Sequence, residues 1–261
     1  MACRILGLVV SLALCMVGCA ESVRFPSASA SHADMLTGRL SRPKGNGPFP
    51  AMVVLHGCGG VSDHSERWAS WLQDEGYVAL VVDSFFARHI TNVCGPHGRM
   101  TLSVNDRVWD AFGALAYLRS LPFVDRDRIG VIGWSHGGST ALQVSAKPLQ
   151  PSDGGFRVGV AFYPGCRDNL SSPTIPVLLL LAEADDWTPA PPCVEWAQRV
   201  QQAGVTIAWT VYPGASHGFD VPRPSRVYLG HYLRYSPQAA SDAEARVRVF
   251  LTKHVGAGAD K

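Results

Sequence analysis

The sequence has no run of lysine or arginine residues, and its 23 basic residues are almost balanced by 21 acidic ones. The resulting formal net charge of +2 at pH 7 is too small to attract a polyanion strongly. The basic stretch that marks many nucleic-acid binding proteins is therefore missing, and we expect no nucleic-acid partner.

Motifs that bind metals or nucleotide cofactors are missing as well. The sequence has no Walker loop, no dinucleotide fingerprint and no HExxH motif, and none of its seven cysteines stands in a C-x-x-C pair. It also has no internal repeat and no low-complexity tract. We therefore expect neither a metal nor an organic cofactor. The 261 residues, 47% of them hydrophobic and 17% charged, suit one globular domain with a large core.

The N-terminus has the pattern of an export signal. MACRILGLVVSLALCMVGCA contains one early positive charge, Arg4, then an apolar stretch too short for a typical transmembrane helix, then small residues. Its ending resembles the lipobox of bacterial lipoproteins, in which the cysteine becomes the lipidated first residue of the mature protein. That cysteine is Cys19 here. Ordinary cleavage and an uncleaved anchor are the alternatives.

These features divide the chain into three parts. We expect a lipoprotein-type signal peptide over residues 1–18 and the folded domain over residues 34–261. Between them, residues 20–33 are small, polar and without a pattern, so a flexible tether is expected over residues 19–33. The protein is then expected in the bacterial cell envelope, held to a membrane by its lipid and facing the periplasm.

Apolar runs alternate with segments of helical period along the rest of the chain. Unbroken apolar runs are typical of strands buried on both faces, and the alternation predicts a mostly parallel, doubly wound sheet with helices on both faces. The expected strands are 49–57, 77–84, 128–134, 156–165, 174–185 and the more polar 206–214; the expected helices are 64–75, 103–120, 136–147, 190–203 and 237–254. Ser103 and Asp106 predict a capping box, and Pro237 after Ser236 predicts a helix start.

Export also changes what the remaining four cysteines indicate. An oxidising compartment favours disulfides, and four cysteines allow three connectivities. Cys166 and Cys193 both follow strands expected to lie near each other, and Cys58 and Cys94 lie in connections that can face the same rim of the sheet. We therefore expect the bridges Cys58–Cys94 and Cys166–Cys193; the alternative is four separate buried thiols.

The segment GWSHGG, residues 133–138, places a serine between a predicted strand and a predicted helix. Such a turn strains the serine backbone and exposes its hydroxyl at the positive end of the helix. Gly133 and Gly137 lack side chains and allow strand and helix to approach closely. Ser135 is therefore a candidate nucleophile; the alternative is a glycine-rich turn with a capping serine.

A serine hydroxyl needs a base, because it is barely acidic at neutral pH. The triad order of this strand–serine–helix architecture is serine, then acid, then histidine. His217 follows a predicted strand in a glycine-containing loop and is favoured over His231 and His254. The base needs an acid partner, and Glu183, Asp185 and Asp186 all stand at one strand end.

Two backbone N–H groups are candidates for holding an oxyanion. One belongs to His136, directly after the candidate nucleophile. The other should come from the loop LHGCGG, residues 55–60, with Cys58 as the expected donor. The alternative for this loop is a glycine-rich turn without a catalytic role.

The chain resembles the dienelactone hydrolase family of the α/β-hydrolase superfamily. The resemblance covers roughly residues 34–255 and rests on six motifs that occur in the order of that family: VVLHGCGG, GYVALVVDSF, RIGVIGWSHGG, FYPGC, EADDWTPAPPC and VYPGASHGFD. It implies an α/β-hydrolase fold with His217 as the base. In this family the acid lies four residues before a proline, here Pro189, so the resemblance favours Asp185, with Asp186 as the runner-up.

One position departs from part of the family. Members that hydrolyse dienelactone itself carry a cysteine nucleophile, whereas this chain has Ser135, which lacks a low-pKa thiolate and depends on His217. The resemblance therefore implies hydrolysis of a small-molecule carboxylic ester or lactone through an acyl-enzyme, without naming the substrate. The alternatives are a non-catalytic exported lipoprotein that keeps the fold for binding, and a peptidase or acyltransferase on the same fold.

Overall fold

The structure is a computed structural model that describes residues 20–30, 34–95, 101–146, 154–166 and 170–256. The expected signal segment and Cys19 lie outside these ranges. Within them, no helix combines the length and the apolar character needed to cross a bilayer.

An eight-stranded sheet forms the centre of the fold. Its strands are β1 (Glu21–Pro26), β2 (Met35–Ser41), β3 (Phe49–Leu55), β4 (Val78–Asp83), β5 (Val124–Trp134), β6 (Gly159–Phe162), β7 (Val177–Ala182) and β8 (Ile207–Tyr212). They lie in the order β1-β2-β4-β3-β5-β6-β7-β8. Strand β2 runs antiparallel to both of its neighbours, and every pair from β4 to β8 is parallel. Parallel strands end at the same edge, so the loops that follow them can share one site.

Helices cover both faces of this sheet. They are α1 (Asp63–Asp74), α2 (Val104–Ser120), α3 (His136–Val144), α4 (Ala190–Gln202) and α5 (Pro237–His254). Within β3, Met52 and Val54 face the core under α1 and α5, while Val53 and Leu55 face the core under α2 and α3. Both faces of the strand are therefore buried, which explains its unbroken apolar run. The expected α/β-hydrolase fold is confirmed.

Two helix starts follow the local sequence as predicted. The Ser103 side chain accepts from the Asp106 N–H while the Asp106 carboxylate accepts from the Ser103 N–H, which completes the capping box of α2. Helix α5 begins at Pro237, and the Ser236 hydroxyl accepts from the Ala239 N–H.

The expected tether over residues 19–33 is wrong for its first described part. Residues Glu21–Pro26 pair with β2 along their whole length, as an edge strand. Val23 and Phe25 are buried while Arg24 between them is exposed. This alternation has the period of a half-buried strand, but it spans only two apolar residues, too few to stand out in a polar segment. The segment also packs on α2, since a Cβ on Gly113 would lie 2.2 Å from Pro26 O.

A short hairpin lies outside the main sheet. It consists of β9 (Arg226–Tyr228) and β10 (His231–Leu233), joined by Leu229 and Gly230, both with positive φ. A bridge between His217 and Leu233 joins it to the loop after β8. No element was predicted here from the sequence.

Both expected disulfides are present. Cys58 joins Cys94 with a Cα–Cα distance of 4.7 Å, and Cys166 joins Cys193 at 5.1 Å. The first bridge links the connections after β3 and β4, and the second links the loop after β6 to the first turn of α4.

The edge strand leads to a direct test of the N-terminal segment. Phe25 is 1% exposed, so we expect Phe25→Ala to lower the free energy of unfolding by about 3–5 kcal/mol, as for a core phenylalanine. The neighbouring, exposed Arg24→Ala is the matched control and should change it by no more than about 0.5 kcal/mol. Urea titration of both variants measures the difference. Equal stability of the two variants would mean that the segment does not belong to the core.

Candidate active site

Ser135 occupies a strained turn between β5 and α3. Strand β5 ends at Trp134, α3 begins at His136, and Ser135 between them has φ 52° and ψ −114°. A non-glycine residue rarely adopts such a conformation, and it persists only where the surrounding structure enforces it. The Ser135 N–H donates to Phe162 O at 2.9 Å, and Ser135 O accepts from the Ser139 N–H at 2.8 Å. The backbone of the turn is thus held from both sides.

The glycines around Ser135 are required by close backbone contacts. A Cβ on Gly133 would lie 2.3 Å from Gly137 O, and a Cβ on Gly137 would lie 2.2 Å from Leu55 O. Both distances are far below any normal contact. The close approach of strand and helix that the sequence predicted is therefore present, and it extends to the end of β3.

Ser135, His217 and Asp185 form one continuous chain of hydrogen bonds. The Ser135 hydroxyl lies 3.0 Å from His217 Nε2, and His217 Nδ1 lies 2.8 Å from Asp185 Oδ2. Because an ionised carboxylate only accepts, Nδ1–H donates to Asp185 and Nε2 accepts from Ser135. The structure therefore brings together the three residues selected as nucleophile, base and acid.

The loop after β7 holds Asp185 in place. The N–H groups of Trp187 and Thr188 donate to Asp185 Oδ1 at 2.9 Å and 2.8 Å. Burial by itself raises the pKa of Asp185, but the hydrogen bond and charge of His217 and these two N–H groups outweigh burial and hold the pKa below its ordinary value. Asp185 is therefore a carboxylate at neutral pH.

The other candidates for acid and base lie elsewhere. Asp186 is half exposed and faces the hairpin, where Oδ1 lies 3.4 Å from His231 Nδ1. Glu183 accepts from the Gly214 N–H at 2.8 Å. The His254 ring packs on Phe250 near the end of α5. None of these side chains is brought to Ser135 by a described contact.

A cavity of about 230 Å³ opens beside Ser135. It is lined by Cys58, Cys94, Ser103, Val104, Asn105, Ser135, His136, Ser139, Gln143, Gly165, Leu170, Trp187 and Thr188. The two residues selected as oxyanion donors, Cys58 and His136, therefore border the same space as the candidate nucleophile. His136 is the first residue of α3, where backbone N–H groups have no acceptor within the helix.

The loop that carries Cys58 is held by neighbouring groups. Cys58 O accepts from the Val93 N–H at 2.8 Å, and the disulfide to Cys94 joins the same two segments. His56, in the same loop, places Nδ1 2.7 Å from Gly57 O. Burial, followed by the charge of Arg107, lowers the pKa of His56 well below its ordinary value, so the ring is neutral and Nδ1–H donates to that carbonyl.

A buried arginine orients the imidazole of His136. Burial lowers the pKa of Arg107 to about 10, which leaves the guanidinium charged at neutral pH. Its Nη1 lies 3.0 Å from His136 Nδ1. Since a guanidinium only donates, His136 Nδ1 accepts and its ring hydrogen is on Nε2.

Sequence reasoning missed several groups that surround His217. The Thr188 hydroxyl lies 3.0 Å from Asp185 Oδ2, 3.1 Å from His217 Nδ1 and 2.9 Å from Tyr163 O. The rings of Tyr163 and Trp187 lie 4.7 Å and 5.0 Å from the His217 ring. The position of Tyr163 at the carboxyl end of β6, in FYPGC, was the one available signal, because that edge gathers functional groups.

Comparisons with known proteins identify the family of the chain. A model of the dienelactone hydrolase family matches residues 36–255. A Bradyrhizobium protein named "Probable 2-oxo-3-(5-oxofuran-2-ylidene)propanoate lactonase" is 26% identical over 230 residues, covering 83% of this chain and 88% of that protein. The carboxymethylenebutenolidase of Pseudomonas putida is 26% identical over 120 residues, covering 42% of this chain and 50% of that protein.

Two solved structures share the fold. A dienelactone hydrolase-like promiscuous phosphotriesterase from metagenomic libraries superposes with a TM-score of 0.70 at 19% identity, covering 91% of this chain and 99% of that chain. Thermogutta terrifontis esterase 2, phosphorylated by paraoxon, superposes with a TM-score of 0.67 at 20% identity, covering 93% of this chain and 96% of that chain. At these identities the likeness concerns the fold alone.

Proposed function

The chain belongs to the dienelactone hydrolase family and is a hydrolase of the ester or lactone type, and from that premise we propose that it works through a Ser135–His217–Asp185 triad. The observation that carries this proposal is the unbroken hydrogen-bond chain from the Ser135 hydroxyl through His217 to Asp185, with distances of 3.0 Å and 2.8 Å. A histidine whose Nδ1–H is held by a carboxylate and whose Nε2 lies within hydrogen-bond distance of a serine hydroxyl is the arrangement that a serine nucleophile requires.

In the first half of the reaction, His217 Nε2 removes the hydroxyl proton as Ser135 Oγ attacks the carbonyl carbon of the substrate. The carbonyl oxygen becomes an oxyanion. It accepts from the Cys58 N–H and from the His136 N–H, of which the latter lies at the positive end of α3. Asp185 stabilises the cationic ring of His217. The ester bond then breaks, the leaving alcohol takes the proton from His217, and an acyl-enzyme remains. With a lactone, this alcohol stays attached to the acyl group.

In the second half, water replaces the alcohol. His217 takes a proton from the water, whose oxygen attacks the acyl carbon, and the same two N–H groups hold the second oxyanion. Breakage of the acyl bond returns the proton from His217 to Ser135 Oγ and releases the acid. Neither half needs a cofactor, since all proton transfers run through His217.

The cavity beside Ser135 has a volume of about 230 Å³, which suits a small-molecule ester or lactone. Side chains that form hydrogen bonds occupy much of one wall, among them Asn105, Ser139 and Gln143. Trp187 and Leu170 supply apolar surface. Pockets of this mixed kind orient a ligand through a few polar groups.

We further propose that the chain is exported and lipidated at Cys19. The two disulfides support an extracytoplasmic location, because such bridges persist in oxidising compartments and are rare in the cytosol. The lipobox-like ending of the signal segment supports Cys19 as the attachment point. A lipid there would hold the enzyme to a membrane of the cell envelope.

The nucleophile is tested by Ser135→Ala. Removing the attacking hydroxyl should lower kcat for a short-chain p-nitrophenyl ester by a factor on the order of 10⁴–10⁶. Ser145→Ala is the matched control, since Ser145 is also a serine at an end of α3 but its hydroxyl donates to Ala141 O at 2.8 Å. The control should stay within about threefold of wild type.

The outcomes of this test separate the alternatives. Retention of more than a tenth of the wild-type turnover by Ser135→Ala would contradict the triad. A wild-type protein that neither hydrolyses esters nor reacts with a fluorophosphonate probe would indicate a binding protein. Amide and alcohol-acceptor substrates supplied beside the ester distinguish a peptidase or an acyltransferase.

The acid is tested by comparing Asp185→Asn with Asp186→Asn. Because only Asp185 accepts from His217 Nδ1–H, its replacement should lower kcat by a factor on the order of 10⁴. Asp186 contacts the hairpin instead, so Asp186→Asn should lower kcat by no more than a few-fold. Steady-state kinetics of both variants give the ranking, and the reverse ranking would assign the role to Asp186.

The anchor is tested in the full-length chain expressed in a bacterial host. Cys19→Ser should move the protein from the membrane fraction to the soluble periplasmic fraction or the medium, because the lipid attachment point is lost. Cys15→Ser, a cysteine within the same signal segment, should leave the membrane fraction unchanged. Mass spectrometry of the wild-type N-terminus should show a lipid mass on Cys19; an unmodified Cys19 or an intact signal segment would refute the assignment.

A further inference from the structure

Asp220 is a buried carboxylate on which four side chains converge. Oδ2 accepts from His64 Nε2 at 2.9 Å, from Trp68 Nε1 at 3.1 Å and from Trp134 Nε1 at 2.8 Å. Oδ1 accepts from the Tyr163 hydroxyl at 2.7 Å. The residue is 1% exposed, so these donors take the place of water around the charge.

The groups joined by Asp220 belong to the segments that carry the triad. Trp134 directly precedes Ser135 at the end of β5, and Asp220 lies in the loop after β8, three residues after His217. Tyr163 stands at the end of β6, and its ring centroid lies 4.7 Å from that of His217. One carboxylate thus connects the nucleophile turn, the base loop and the ring that packs on the base.

Tyr163 extends this connection to the acid. Its carbonyl oxygen accepts from the Thr188 hydroxyl, which also lies 3.0 Å from Asp185 Oδ2. Its backbone has φ 35°, a strained value for a tyrosine, and its N–H donates to Leu180 O. Burial and the neighbouring charge of Asp220 raise the pKa of the Tyr163 hydroxyl well above its ordinary value, so the hydroxyl stays a donor.

The charge on Asp220 is maintained despite complete burial. Burial raises its pKa, but the charge and hydrogen bond of His64 and the bonds from Tyr163 and Trp134 outweigh burial and hold the pKa below its ordinary value. Hydrogen bonds to an ionised acceptor are shorter and stronger than those between neutral groups, and so hold their donors more firmly.

We propose that Asp220 is a positioning residue of the active site, which sets the distance between Ser135 and His217 through Trp134 and Tyr163. The inference rests on the proposed triad and adds a residue to it that does not touch the substrate. A displacement of about 1 Å between reacting groups can cost on the order of 100-fold in rate, so a rigid link of this kind has a kinetic effect.

The primary test removes one link and keeps the ring. Tyr163→Phe eliminates the hydroxyl that binds Asp220 while the phenyl ring still packs on His217. The matched control is Tyr212→Phe, since the Tyr212 hydroxyl donates to another carboxylate, Asp242 Oδ2, at 2.9 Å on the β8–α5 side of the protein. Both variants lose one tyrosine–aspartate hydrogen bond. The melting temperature should fall by about 2–4 °C for Tyr212→Phe and by more for Tyr163→Phe, because Asp220 is buried whereas the half-exposed Asp242 can bind water instead.

The kinetics should distinguish the two variants. Tyr163→Phe should lower kcat for a p-nitrophenyl ester by about 10- to 100-fold, with KM within about twofold of wild type, because binding is retained while the alignment of Ser135 and His217 is lost. Tyr212→Phe should leave both constants within about twofold of wild type. A purely structural role for Tyr163 predicts equal kinetics for the two variants.

A double-mutant cycle assigns the effect to Asp220. Asp220→Asn keeps the shape of the side chain but removes the charge. Three N–H donors surround the Oδ2 position, so the amide nitrogen fits only at the Oδ1 position beside Tyr163, whose hydroxyl must then accept. If both residues act through one link, the double variant Tyr163→Phe/Asp220→Asn should have a kcat no lower than that of the more impaired single variant.

Three results separate the inference from the proposed function. A wild-type enzyme without esterase activity or fluorophosphonate labelling at Ser135 would overturn the triad itself. An active wild type in which Tyr163→Phe and Tyr212→Phe have equal kcat would overturn the positioning role alone. Losses that multiply in the double variant would show that Tyr163 and Asp220 act independently, which also overturns it.

Discussion

The contact between the backbone of α3 and the ends of β3 and β5 is the constraint on which the active site depends. Gly137 lies so close to Leu55 O that any side chain would overlap it, and Gly133 lies equally close to Gly137 O. Within this close contact Ser135 has a positive φ and lies at the positive end of α3. The Cys58 loop begins where β3 ends, and Cys58 and His136 line the same cavity.

Two buried carboxylates, Asp185 and Asp220, lie among the segments that surround His217. Asp185 accepts from His217 itself, and Asp220 accepts from the residues that hold the neighbouring segments. Buried charges are tolerated only where donors replace the lost water, and both aspartates have several. Their donors come from loops at the carboxyl edge of the sheet, from the end of β5 and from α1, so the electrostatics of the site depend on the packing of the fold.

The rim of the site is held by covalent bonds in addition to packing. The Cys58–Cys94 bridge joins the candidate oxyanion loop to the connection after β4, and the Cys166–Cys193 bridge joins the loop after β6 to α4. Loops that carry function usually open more readily than the core, and a cross-link reduces this freedom. Such bridges persist in an oxidising compartment, which is consistent with the proposed export.

The sequence by itself determined the six strands from β3 to β8, the order of these strands and the helices along the chain, the turn at Ser135 and the two cysteine pairs. These features follow from apolar periodicity, glycine spacing and strand order, all of which are local or nearly so. Strands β1 (Glu21–Pro26) and β2 (Met35–Ser41) were missed, because each buries only two large apolar side chains in alternation, which is a weak signal without the partner strand. The choice of Asp185 over Asp186 came from family resemblance, since adjacent carboxylates differ only in where the loop points them.

Only the tertiary structure decided the place of Asp220, which in the sequence is one more loop carboxylate. Its donors lie 57 to 156 residues away along the chain, and no local pattern records a contact that folding alone creates.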